Sequence, residues 1–372
     1  MSKKLHIVSF DIPYPPNYGG IIDVFYKIKE LHKLGVEINL HTYICNHKTR
    51  QVELEKYCKK VTYYKRNKIL SSIFSVLPFR IKSRINQKLN SNLKDLNSPI
   101  LFEGLHTIYP LYKFNLKECY VRTHNVEHSY FYGLAKSEKN ILKKMFFYLE
   151  GIKLKKFEKN LKKAKTIFTI SPFEQKYFSK NFKNNTIYLP AFHEAKINFN
   201  NIKKGKFILY HGDLRVSDNV KACLFLINVY KNTSYKLVIA TSVKENLIIE
   251  QVNKYKNISI KQIPTQQDLN ELFKKAHVNT LFTYQKTGIK LKLLNTLYKG
   301  KFIIANDPLI EDTGLETTCE IANSKEEILK ITETLFQKEF TDKEVEKRLK
   351  ILEPFSPEIA AKKMIEIIFR QQ

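Results

Sequence analysis

The chain has no tryptophan, three methionines and only 11 glycines in 372 residues. Its five cysteines, Cys45, Cys58, Cys119, Cys223 and Cys319, are scattered and never spaced as CxxC. That argues against a zinc site or a disulfide framework and for a reducing compartment, with the thiols as small core residues. No apolar run reaches the roughly 18 residues that a membrane-spanning helix needs. The start, MSKKLHIVSFD, is basic, but its apolar stretch is short and ends in an acid without a small-residue cleavage site. It reads as a first strand and not as a signal peptide. No short-period repeat of solenoid type occurs. Acids are also scarce: 64 lysines and arginines face 36 aspartates and glutamates, a net charge of +28. Such an excess fits an anionic partner, whether nucleic acid, phosphorylated substrate or membrane face, or else the drift of a Lys-, Asn- and Ile-rich composition. Only local clustering separates the two.

What is present suffices for two cores. Hydrophobic residues make up 43 % and aromatics 12 %, which excludes disorder over most of the length and suits two domains. The first part alternates strand candidates (KLHIVSF, VEINLHTYI, VTYYK, PILFEGL, CYVRTH, TIFTIS, TIYLP) with amphipathic stretches such as GIIDVFYKIKELHKLG. The charged stretch 137–165 reads as one or two helices, with apolar positions Leu142, Phe146, Leu149, Ile152 and Leu161. Residues 191–204 have no clear period and read as a linker. A second alternating series follows, with strands at FILYHG, YKLVIA, ISIKQIP, VNTLFTY, KFIIAN and CEIA, and a closing helix SPEIAAKKMIEIIFR. The expected division is 1–190, a linker at 191–204, 205–353, and a final helix in 354–372. Each series predicts a doubly wound α/β domain with its ligand at the carboxyl ends of the strands.

Several stretches carry candidate chemistry. DIPYPPNYGG follows the first strand and places Gly19 and Gly20 where a helix opens, but it lacks the GxGxxG spacing. YVRTHNVEHSY sets Arg122, His124, Asn125, Glu127 and His128 after a strand; so polar a cluster suits a sugar or phosphate, with Asn125 also a candidate helix cap. LFEGLH, with Glu103, Gly104 and His106, is a second polar strand end. YHGDLRVSDNVKA brings Gly212, Arg215 and Asn219 to a strand–helix turn, either an anion site or an ordinary turn with a surface arginine. TYQKTGIKLKLLNTLYKG places Gly288, Lys290 and Lys292 at a helix start, as a phosphate site or as a solvated face opposite Leu291, Leu294 and Leu297.

In this order and combination the stretches resemble GT-B glycosyltransferases of the family-4 type, specifically a bacterial subgroup with an Arg-x-His-Asn-x-Glu motif, here RTHNVE. GDLRVSDNVKA, TGIKLKLLNTLYKGKFIIAND and EDTGL match further motifs of that subgroup, and the resemblance covers nearly the whole chain. It implies two Rossmann-like domains facing across a cleft, with the last helix crossing back to the first. The nucleotide-sugar donor would sit mainly on the C-terminal domain and the acceptor on the N-terminal one, with metal-independent and usually retaining transfer. Arg215 and Lys292 would then neutralise the leaving diphosphate, and His124 would partner a hydroxyl of the transferred sugar. Donor binding falls to Gly19, Gly20, Gly212, Asn219, Thr287, Gly288, Ile289, Lys290, Asn295, Thr313, Gly314 and Leu315; the acceptor side falls to Glu103, Arg122, Asn125 and Glu127. Two positions depart from the pattern: Thr287 and Asn295 stand where the family carries glutamates. Asp213 stands where it begins Gly-Arg.

The expected activity is therefore hexosyl transfer from a nucleotide sugar to a membrane-associated or lipid-linked glycan in surface polysaccharide or glycoconjugate synthesis. The alternative is a catalytically silent relative that binds a sugar nucleotide or a partner transferase. No metal or cofactor is expected beyond the donor, and no nucleic-acid partner, since no nucleic-acid motif accompanies the charge. Segment 65–94 mixes Ile69, Leu70, Ile73, Phe74, Leu77 and Phe79 with lysines and arginines, as in a basic amphipathic element on an anionic membrane. The expected location is cytoplasmic, peripheral at the inner face of the cell membrane.

Overall fold

The computed structural model describes residues 3–44, 49–67, 75–94, 96–138, 140–182, 186–197, 199, 204–285 and 291–370. Thirteen strands are described, one in each predicted stretch, and they form two wholly parallel sheets. The first sheet holds β1 (Lys4–Ser9), β2 (Glu37–Ile44), β3 (Lys60–Lys65), β4 (Ile100–Glu103), β5 (Cys119–Arg122), β6 (Thr166–Thr169) and β7 (Thr186–Tyr188). Its order is β3-β2-β1-β4-β5-β6-β7, so it reverses direction between β1 and β4. The second holds β8 (Phe207–His211), β9 (Leu237–Thr241), β10 (Ile258–Gln262), β11 (Ala276–Leu281), β12 (Phe302–Ala305) and β13 (Glu320–Ile321) in the order β10-β9-β8-β11-β12-β13. It reverses between β8 and β11. Ligands of open parallel sheets sit at the carboxyl ends beside such a reversal.

These strands read clearly because helices cover both sheet faces, so their sequences are near-continuous apolar runs. All four residues of β4, β5 and β6 are buried, as are all five of β9. Six helices matter below: α1 (Gly19–Lys33), α2 (Glu127–Ser137), α3 (Ile141–Glu158), α4 (Ser217–Tyr230), α5 (Leu291–Lys299) and α6 (Pro357–Phe369).

Two compact units result. The first runs to His193 and takes back the chain from Pro354; the second runs from Glu194 to Glu353 among the described residues. Ala191, Phe192 and His193 are buried and Phe192 N–H donates to Asp23 at 2.8 Å, so the first three residues of the expected linker are part of the first unit. The last helix does return: Ala360, Ala361, Met364, Ile365 and Ile368 of α6 join the core formed by Leu5, Ile7, Val24, Ile28 and Leu31.

Two sequence expectations change. Asn125 does not cap α2, whose N-terminal boundary is Val126 without a side-chain cap. In 65–94, Ile69, Leu70, Ile73 and Phe74 lie outside the described residues. Leu77 and Phe79 are only partly exposed: Leu77 packs on the core and Phe79 lies 6.0 Å from the Phe146 ring. They are not available as an outward apolar face.

Met364 is fully enclosed, and replacing a buried methionine by alanine removes contacts and leaves a cavity. Met364→Ala should cost about 2–5 kcal/mol in denaturant unfolding. A cost below about 1 kcal/mol would mean that α6 adds little to the first core.

Candidate functional site

In the first unit, α1 lays Asp23 and Lys27 under the ends of β4 and β5. Both side chains have no exposed surface, nor do those of Glu103 and Arg122, which end those two strands. Lys27 Nζ donates to Asp23 Oδ2 at 2.8 Å and lies 2.9 and 3.0 Å from the two Glu103 oxygens. Arg122 donates to both Asp23 oxygens, at 2.9 and 3.2 Å, and to the carbonyls of Thr169, Leu189 and Pro190 at 2.7–2.9 Å. Two cations thus match two carboxylates, which makes burial of four charges tolerable. Burial alone would raise the Asp23 carboxyl, but Arg122 and Lys27 hold it well below the ordinary carboxylate range.

His124 sits on the rim of this network. Its Nε2 is 3.0 Å from Glu103 Oε2 and its Nδ1 is 4.0 Å from Asp23 Oδ2. Asp23, Glu103 and His124 therefore bring three ligand-type atoms within 4.8 Å of one another. The Lys27 ammonium, however, already takes both carboxylates, so the donor set is that of an ion-pair network and not of a cation site. Phe10, from the loop after β1, packs edge-on against His124 with ring centroids 5.5 Å apart. A Cβ on Gly20 would stand 2.7 Å from Phe10 Cζ. The second glycine of PPNYGG thus allows the close approach that seats Phe10 on His124.

Beside them His106 Nε2 lies 3.3 Å from Glu127 Oε2. Burial, aided by Arg80 and Arg84, pushes His106 down to about 4, although Glu127 opposes it. Glu127 is pulled below its ordinary value by His106 and Arg80 in spite of its burial. At neutral pH the pair is a neutral imidazole beside a carboxylate.

In the second unit, Gly212 follows β8 at the sheet's reversal and α4 starts five residues later. Tyr210 Oη donates to the Asn219 carbonyl at 2.9 Å, and Asn219 Nδ2 donates to the Asp213 carbonyl at 2.8 Å. The Asn219 amide oxygen accepts from Lys292 Nζ at 2.6 Å, and that ammonium lies 5.5 Å from the Tyr210 ring centroid. A Cβ on Gly212 would stand 3.2 Å from Lys292 Nζ and 3.2 Å from Tyr210 Oη, so glycine leaves room at the ammonium. Every residue of α5 is buried except Lys292 and Asn295. Three positions apart, these two share one helix face. Below them Arg348 donates to the carbonyls of Leu297, Gly300 and Lys301, at 3.3, 2.6 and 2.6 Å, and holds the end of α5. His211, under the cluster, is driven down to about 3 by burial and by Lys292.

The remaining expected residues are placed differently. Arg215 is exposed and forms a two-pronged pair with Asp213, Nε to Oδ1 at 2.9 Å and Nη2 to Oδ2 at 2.7 Å; its charge is already matched. The EDTGL loop closes on itself: Thr313 Oγ1 donates to the Ile310 carbonyl at 2.6 Å, Thr313 N–H to Glu316 at 3.0 Å and Leu315 N–H to Thr313 Oγ1 at 3.2 Å. Of Thr313, Gly314 and Leu315, only Gly314 is exposed. Thr287, Gly288, Ile289 and Lys290 lie outside the described residues. Arg122 and Glu103, expected on the acceptor side, have no surface to offer; Glu103 instead holds His124 from beneath, and Arg122 holds Asp23. Sequence reasoning missed Asp23, Lys27, Phe10 and Tyr210, the groups that do the positioning.

No family model matches the chain. It is similar to an uncharacterized 44.6 kDa protein in the cps region of Klebsiella pneumoniae, with 26 % identity over 350 residues and 88 % of each chain covered. Among solved structures it is similar to Staphylococcus aureus TarM, in a mutant form complexed with fondaparinux, alpha-GlcNAc-glycerol and UDP. That likeness has 13 % identity and a TM-score of 0.66 over 99 % of this chain and 100 % of TarM. Anabaena HepE, complexed with UDP and glucose, matches at 9 % identity and a TM-score of 0.65 over 98 % and 99 %. The lipopolysaccharide outer core galactosyltransferase WaaB matches at 13 % and 0.63 over 99 % and 100 %. The likeness defines the fold: two Rossmann-like parallel-sheet units of the GT-B class.

Asp23 supplies a test of the first constellation. Its folded-state pKa is depressed, so its stabilisation is fully present above the unfolded-state value near 4 and is lost as the pH falls below it. At pH 7, Asp23→Asn leaves two buried cations short of a partner and should cost about 3–5 kcal/mol. Chemical denaturation across pH should show that deficit narrowing below about pH 4. A deficit independent of pH would assign the loss to packing.

Proposed function

We propose that this chain is a glycosyltransferase that moves a hexose-type sugar from a nucleoside-diphosphate sugar to a glycan or lipid-linked acceptor in surface polysaccharide or glycoconjugate assembly. The observation that carries the reading is Lys292. It is one of two residues of α5 left partly exposed, and it stands over Gly212 at the reversal of the second sheet. Support comes from the UDP held by TarM and HepE, from the galactosyltransferase WaaB and from the capsule-region relative.

In the reaction, the bond from the sugar's anomeric carbon to the diphosphate oxygen breaks, and a bond from that carbon to an acceptor hydroxyl oxygen forms. The hydroxyl proton passes to the departing diphosphate oxygen, and a nucleoside diphosphate is released. Charge grows on the leaving diphosphate, and an ammonium already oriented by Asn219 and Tyr210 stabilises it without reorganising. Asn295, on the same face, hydrogen-bonds a donor hydroxyl in place of a carboxylate. Arg215 contributes only by exchanging Asp213 for the diphosphate, so its share is smaller than that of Lys292. In the first unit His124, with its ring fixed by Glu103, hydrogen-bonds a hydroxyl of the transferred sugar. Retention at the anomeric carbon and independence of metal belong to the same reading.

Release of nucleoside diphosphate from a panel of nucleotide sugars, with and without glycan or lipid-linked acceptor, tests it. Lys292→Ala should lower kcat/KM by about a hundredfold to a thousandfold while thermal unfolding stays unchanged, because the side chain is partly exposed. Tight nucleotide binding with no turnover of any donor would leave a silent relative in place of an enzyme.

A further inference from the structure

Helix α3 has two apolar faces: Phe147, Leu154 and Phe157 pack into the core of the first unit, while a second set of apolar side chains faces outward. Ile141, Leu142, Met145, Tyr148, Leu149 and Ile152 are between 45 and 80 % exposed. At about 100° per residue they fall in one stripe roughly 120° wide, and at about 1.5 Å per residue it runs for about 16 Å. So large a contiguous exposed apolar face marks an interaction surface.

The charges on α3 are sorted as sharply. Its two acids point into the protein. Glu150 accepts the N–H groups of Phe79 and Arg80 at 2.9 and 3.2 Å, and Glu158 accepts the Tyr177 hydroxyl at 2.6 Å. Lys144 and Lys155 are exposed along one edge of the stripe, with Lys156 and Lys159 at its C-terminal end. On the other edge Lys153 Nζ donates to the Ser75 carbonyl at 2.7 Å. That bond brings up Val76, which is 87 % exposed. The described remainder of the basic segment 65–94 thus extends the same surface.

We propose that this face of α3, with Val76, seats the first unit on an anionic phospholipid surface. The apolar stripe enters the interfacial region and the flanking lysines meet phosphate head groups. A second copy fits worse, because it would set lysines against lysines with no acid of α3 on either face. The surface stands whether or not the chain transfers sugar.

Flotation of the full chain with vesicles of phosphatidylcholine containing phosphatidylglycerol, against vesicles of phosphatidylcholine alone, is the test. Binding should need the anionic lipid. A lysine near such a surface is worth about fivefold in affinity, so Lys144→Glu with Lys155→Glu should weaken binding by about thirtyfold or more. The triple change Leu142→Gln, Met145→Gln and Leu149→Gln, at exposed positions, should weaken it by more than about tenfold with unfolding unchanged. Nucleotide release from a soluble donor should be unaffected, which keeps failure here distinct from failure of the transferase reading. Absence of vesicle binding, equal binding to neutral vesicles, or binding untouched by both sets of changes overturns the proposal. Self-association in sedimentation that the same changes abolish, without vesicle binding, assigns the face to a second copy instead.

Discussion

The ionised Asp23 has no contact with water, and it is tolerable only because Arg122 and Lys27 are held against it. Much of the order at the carboxyl end of the first sheet follows from that one constraint. Desolvating a carboxylate costs several kcal/mol unless partners meet it in good geometry. Arg122 meets it from β5 and spends its remaining donors on the carbonyls of Thr169, Leu189 and Pro190, while Lys27 links Asp23 to Glu103 on β4. Helix α1 and the ends of β4, β5, β6 and β7 are thereby tied at one point. His124 inherits its position from that knot, with Glu103 beneath it and Phe10 against its face. Gly20 belongs to the same chain of contacts, because a Cβ there would stand 2.7 Å from Phe10 Cζ and force that ring to shift.

The second unit solves a different problem at the equivalent place. Asn219 and Tyr210 orient Lys292 as neutral groups, since one offers an amide oxygen and the other a ring face. The nearby carboxylate of Asp213 is engaged by Arg215 and held below its ordinary value chiefly by that pairing. Arg348, enclosed and bonded to three carbonyls, anchors the far end of α5. One unit buries matched charges to hold a histidine, and the other steers an ammonium with an amide and a ring at a partly exposed position.

The strands were legible because parallel strands covered on both faces become apolar runs whatever lies around them. The site was legible in part. Gly212, Asn219 and Lys292 read as a cluster because a strand–turn–helix and a helix start each have local signatures. Asp23 and Lys27 did not, since an acid and a lysine four apart on a helix ordinarily describe a solvated pair; here the sheet covers them. Arg122 and Glu103 misled in the opposite direction, because a polar strand end looks the same whether it meets a ligand or a buried partner. Which of the two it meets depends on α1, about a hundred residues earlier in the chain for Arg122.

The same limit applies to the net charge. A total of +28 is compatible with drift as well as with an anionic partner. Placement separates them, because drift scatters lysines without regard to burial or to neighbouring apolar groups. On α3 the scatter is gone: both acids are buried against backbone or hydroxyl donors, and the exposed charges are lysines beside six exposed apolar side chains. A helix read from sequence alone would turn Leu142, Leu149 and Ile152 inward. The fold turns Glu150 and Glu158 inward instead, because the N–H groups of Phe79 and Arg80 and the hydroxyl of Tyr177 need acceptors there. Those bonds, together with Phe147, Leu154 and Phe157 packed into the core, fix the rotation of α3, and that rotation leaves the apolar stripe outside. The outward stripe is therefore held by strong inward contacts and is not a failure of packing, which is the condition under which an exposed apolar face persists long enough to be a docking surface.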